Sequence, residues 1–95
     1  MTPYQRSLNI ANAHAKLQIA IYDALGLGDG YVAGCLRIAR QLLNPADGPT
    51  RVKCLQACNE MDAAVESLRP RVCHNALTNG ARRLVRDVID FGGPF

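Results

Sequence analysis

The chain has no tryptophan, two phenylalanines and three tyrosines, so aromatic residues supply only 5% of its 95 positions. Its core must therefore be packed from Leu, Ile, Val, Ala, Met and Cys, and aliphatic side chains with many alanines suit closely packed helices. Alternating runs of β-branched and aromatic residues are missing too, and the Asn-Gly and Asp-Gly pairs are not flanked by period-two segments, which excludes a sheet built from hairpins. No stretch approaches the roughly 18 uncharged apolar residues of a membrane-crossing helix. The start, Met1-Thr2-Pro3-Tyr4-Gln5-Arg6, has no apolar run behind it of the kind a secretion signal needs, and a cytoplasmic location is the resulting expectation.

What is present is ordinary for a folded domain: 48% apolar and 20% charged residues exclude the composition of a disordered chain. Ninety-five residues can enclose one apolar core and not two, so residues 1–95 read as a single domain. Eleven Lys and Arg against eight Asp and Glu leave a formal charge of +3, which permits an acidic partner without pointing to nucleic acid.

Periodicity predicts an all-α fold with helices near 4–25, 30–43, 50–68 and 70–91, arranged as a small four-helix bundle or an orthogonal helical domain. In the first helix Ile10, Ala13, His14, Leu17, Ala20, Ile21, Ala24 and Leu25 share a face. A second apolar strip of Leu8, Ala11, Ala15, Ile19 and Tyr22 lies nearly opposite, leaving a narrow polar edge of Asn9, Asn12, Lys16 and Asp23. A helix apolar on two sides sits centrally among neighbours or gives one side to another molecule, so those five residues are the candidate self-association surface of a homo-oligomer.

Gly26-Leu27-Gly28-Asp29-Gly30 breaks the first helix, with Asp29 placed to cap the second. The second helix carries Tyr31, Val32, Cys35, Leu36, Ile38, Ala39, Leu42 and Leu43 on one side, and Asn44-Pro45 ends it. The third begins near Pro49 or Thr50 and turns Cys54, Ala57, Cys58, Met61, Ala64, Val65 and Leu68 inward. Pro70 opens the fourth, in which Cys73, Leu77, Gly80, Leu84, Val88 and Phe91 keep one phase across Asn79-Gly80, favouring one continuous helix over a break there.

Candidate sites are few. Cys35, Cys54, Cys58 and Cys73 occupy apolar helical positions and read as small buried hydrophobes. Cys54, Cys58, Cys73 and His74 comprise four soft ligand types, but Cys73 and His74 diverge by about 100° and the spacing matches no common zinc motif, so neither metal nor other cofactor is expected. His14 reads as a hydrogen-bonded core histidine. The glycine-rich turn before the second helix lacks a preceding strand and a following Lys-Ser or Lys-Thr, and is a turn rather than a phosphate loop. Helix-turn-helix spacing fails around both Ala24 and Ala39. Nine of the eleven cations are arginine. Arg37, Arg40, Arg82, Arg83 and Arg86 are the candidate partner-binding residues, although Asp87 and Asp90 follow Arg83 and Arg86 at one-turn spacing, as self-neutralised pairs do.

No catalytic constellation is evident: the two histidines lie in separate helices and neither Ser7 nor Ser67 is coupled to them. The expectation is a non-enzymatic binding protein that inhibits or regulates a larger protein or assembly by occupying its surface. In size and plainness it resembles phage-encoded inhibitors and regulators of host machinery. The alternative expectation is an arginine-mediated binder of nucleic acid or of a phosphate-bearing small ligand.

Overall fold

The computed structural model describes residues 1–67 and 72–93. They form helices α1 (Pro3–Gly26), α2 (Gly30–Leu42), α3 (Arg51–Val65) and α4 (Val72–Phe91), with a single 3₁₀ turn, Pro45–Asp47, between α2 and α3. Each helix packs on the next, and α4 closes the ring on α1, the most extensive of the four interfaces. Long-range bonds give the directions. Arg6 reaches Gly92 while Asp23 reaches His74, so α1 and α4 run antiparallel; Arg51 reaches Ile89 while Asp62 reaches Arg82, so α3 and α4 do too. The all-α expectation resolves into an up-down bundle, 38 Å in its longest dimension, close to the roughly 36 Å of a 24-residue helix.

Local chemistry sets the helix ends. Thr2 caps α1 by accepting from the Gln5 amide, with Pro3 in the first turn where a missing N–H costs nothing. Gly28, at φ +72°, turns the chain out of α1 in a conformation that side chains with a Cβ rarely adopt. Asp29 then accepts from the Val32 amide as the cap of α2, and Thr50 accepts from the Lys53 amide as the cap of α3. Helix α4 passes through Gly80 unbroken. A Cβ there would meet only the Lys16 side chain at ordinary contact distance, so the glycine is not demanded by a tight helix approach. Leu68, Pro70 and the side chain of Cys73, expected at the end of α3 and the start of α4, lie outside the described residues.

The core is aliphatic. Leu17, Leu36, Leu43, Met61, Val85 and Val88 are fully enclosed, with alanines from every helix between them. Ala13, Ala20 and Ala24 of α1, Ala39 of α2, Ala57 of α3 and Ala81 of α4 are all buried, so the backbones can approach closely.

Several inward assignments need correction. Tyr31 and Ile38 stand exposed, because α2 must bury surface against both α1 and α3 and its buried arc takes in Ala33 instead. Asn9, assigned to the polar edge, is buried; its Nδ2 donates to the Leu84 carbonyl and its Oδ1 accepts from Gln5 Nε2. Leu25 and Phe91 are exposed near the C-terminal ends of their helices. His14 is half-buried rather than a core residue.

Candidate functional site

The outer strip of α1 keeps its apolar character without receiving cover. Ile19 is 58% exposed and Tyr22 65%, Leu8 and Ala15 are also exposed, and Ala11 is half-buried. Tyr4, 73% exposed, extends the strip by one turn toward the N-terminus. At helical spacing the six residues form one continuous line along the rod, with alanines in the middle and large side chains toward both ends. Since Tyr31 is exposed as well, all three tyrosines of the chain lie on the surface, and among the described residues no tyrosine or phenylalanine side chain is buried in the core.

The five arginines proposed from sequence do not meet. Arg37 and Arg40 lie on α2 and Arg82, Arg83 and Arg86 on α4, helices that occupy diagonal corners of the bundle. The α4 group is held by a carboxylate from α3: Arg82 Nη1 donates to Asp62 Oδ1 at 2.8 Å and Arg86 Nη2 to Asp62 Oδ2 at 3.4 Å. Arg82 also donates to Asn79 Oδ1. Asp87 and Asp90 line the same shallow surface, and the expected one-turn pairs, Arg83 with Asp87 and Arg86 with Asp90, do not form. For Arg86 the reason is that Asp62, on the adjacent helix, takes its guanidinium together with that of Arg82, one on each carboxylate oxygen.

Arg37 and Arg40 have a different setting. With His14 of α1, Gln41 and Asn44 they line a concavity that contains no carboxylate. Neither arginine takes part in an ion pair among the described residues, and Arg40 Nε is buried without a hydrogen-bond partner. Burial, followed by the positive charge of Arg40, holds the His14 imidazole below its usual pKa. Folding the chain back about Gly28 opposes His14 and Arg40, a juxtaposition implied by the position of the turn.

Other arginines serve the fold. Arg6 Nη1 donates to the Gly92 carbonyl at 3.0 Å and Arg51 Nη1 to the Ile89 carbonyl at 2.6 Å, so α1 and α3 each send a cation to the C-terminal end of α4, where free carbonyls and the helix dipole favour positive charge. No local sequence signal marked these bonds or the Asp62 fork, since each partner is distant in the chain.

Buried polar groups complete the inventory. His74 is fully enclosed; its Nδ1 lies 3.2 Å from Asp23 Oδ2 of α1, and Thr78 Oγ1 donates to the His74 carbonyl. Cys35, Cys54 and Cys58 are buried free thiols. Burial pushes Cys58 up to about 11 and raises Cys35 and Cys54, leaving all three protonated near neutrality and poor nucleophiles. Among the described residues no three His, Cys, Asp or Glu side chains converge as metal ligands. No helix there is long and apolar enough to cross a membrane.

Compared with protein families, with curated proteins and with solved structures, the chain shows no match that would lend it a function.

Proposed function

We propose that the protein is a non-enzymatic docking module that inhibits or regulates a larger protein or assembly by covering part of its surface. One observation carries this reading: along the line Tyr4, Leu8, Ala11, Ala15, Ile19 and Tyr22 every residue but the half-buried Ala11 stands exposed, outside the aliphatic core that the described residues enclose. Tyrosine and isoleucine on a rigid helix provide contact area at low cost in side-chain entropy, and tyrosine is enriched where binding energy concentrates. The resemblance in size to phage-encoded inhibitors of host machinery agrees with a steric mode of action and names no target.

The same line favours self-association when no other partner is present. Its residues are spaced almost symmetrically about Ala13, so an antiparallel second α1 would bring alanines together at the crossing and set Tyr4 of each copy toward Tyr22 of the other. That is the self-complementarity a two-fold interface requires. The exposed side chains amount to roughly 500 Å² per copy, or about 1,000 Å² for the pair, at the lower edge of specific interfaces. The resulting dimer is weak and concentration-dependent.

Sedimentation equilibrium from micromolar to millimolar protein tests this reading. A reversible monomer–dimer equilibrium is expected, and Ile19→Glu should abolish it without loss of helicity. A strict monomer throughout that range would remove the self-association claim. The nucleic-acid alternative has less support, because the two arginine groups lie at diagonal corners and one is already occupied by Asp62. It requires binding to generic DNA or RNA that weakens steeply with salt.

A further inference from the structure

The two arginine groups differ in what already neutralises them, and the difference isolates a site. On α4, Asp62 takes Arg82 and Arg86, and Asp87 and Asp90 lie beside them. On α2, Arg37 and Arg40 converge with His14 on a concavity lined otherwise by the carboxamides of Gln41 and Asn44. Every polar side chain there can donate a hydrogen bond, and none is a carboxylate.

We propose that this concavity is a binding site for a terminal phosphate group, a dianionic phosphomonoester held by Arg37 and Arg40 with His14, Gln41 and Asn44 as further donors. Guanidinium forks match phosphate oxygens bidentately, and two fixed cations match a dianion in charge. The C-terminal end of α2 opposes the anion with roughly half an elementary charge, against two full positive charges, so the local field remains attractive. Arg40 already lowers the imidazole pKa of His14; an anion between them reverses that influence and draws a proton onto the ring.

A phosphomonoester fits better than a nucleic-acid backbone. A diester phosphate carries one charge and needs a track of cations along its strand, whereas the other arginine group lies on the diagonal helix. This inference is independent of the uncovered strip on α1, because its ligand contacts lie on the side of α1 that packs toward α2.

The test is an NMR titration of the full chain at an ionic strength held constant with sodium chloride, following the ring protons of His14 with buried His74 as an internal reference. The probes are inorganic phosphate, phenyl phosphate and dimethyl phosphate. Saturable 1:1 binding of the first two is expected, with the His14 titration midpoint moving upward on binding. Arg37→Gln and Arg40→Gln should each weaken binding about tenfold, and Arg83→Gln should leave it unchanged. Helicity of each variant by circular dichroism separates lost binding from lost fold. Absence of saturation at tens of millimolar phosphate would overturn the proposal, as would equal weakening by Arg83→Gln. Binding of dimethyl phosphate or a short oligonucleotide as tightly as phenyl phosphate would overturn the monoester assignment and indicate a backbone phosphate instead.

Discussion

The outer faces of α1 and α4 are neighbours in one bundle and differ in almost every respect. Helix α1 presents tyrosine, isoleucine, leucine and alanine to solvent, whereas α4 presents arginine and aspartate, part of it tied down by Asp62. Both helices meet the needs of the core through their inner sides: Leu17 on α1 and Val85 on α4 are fully enclosed. The outer side of α4 is thus a conventional solvated surface, while that of α1 is an apolar surface that folding alone does not explain. Where two helices contribute alike to the core, what each leaves outside is the better guide to function.

The sharpest way to break this comparison is to truncate α1 on each side in turn. Leu17→Ala removes a fully enclosed side chain and should cost about 2–5 kcal/mol in denaturant unfolding, whereas Ile19→Ala, two residues away, should change the stability of dilute monomer by no more than about 0.5 kcal/mol. Equal losses would mean that the outer strip belongs to the core after all.

On α4 the corresponding change is Asp62→Ala, which releases Arg82 and Arg86. With side chains that stay partly exposed, a loss of about 1 kcal/mol or less is expected in the same measurement. Self-association through α1 should be unaffected, and a dimer sensitive to this substitution would move the contact surface to the other face.

An effect of opposite sign is expected at Gly80, on the flank between the two helices. Gly80→Ala should raise stability by about 0.5–1 kcal/mol, because the added methyl makes an ordinary contact with the flexible Lys16 side chain and the unfolded chain loses freedom. A decrease, read from the thermal midpoint, would show instead that α1 and α4 approach each other too tightly for a methyl group.

Much of the architecture was legible from short-range rules. Asp29 and Thr50 are caps because a side-chain oxygen reaches an amide three residues on, and Leu17, Leu36 and Met61 recur at the spacing of a buried face. The strip on α1 was legible for the same reason. Tyr31 and Ile38 were misjudged because periodicity gives the width of an apolar arc but not its edges, which depend on the angle at which the neighbouring helices arrive. Asn9 was misjudged because a polar side chain can enter a helix interface when its hydrogen bonds are met there, here by Gln5 and the Leu84 carbonyl. The Asp62 fork, the pairing of Asp23 with His74 and the two arginines on the end of α4 needed three-dimensional placement, since their partners are 20 to 86 residues apart.

The bond from Arg6 to Gly92 has an architectural consequence of its own. It fastens the opening turn of the first helix to the closing turn of the last, so any polypeptide attached ahead of Thr2 or beyond Gly93 departs from one pole of the molecule. The hairpin at Gly28 stands at the opposite pole. A circularly permuted chain, with the old ends bridged by a short linker and new ones opened beside Gly28, should assemble the same bundle with its points of attachment inverted.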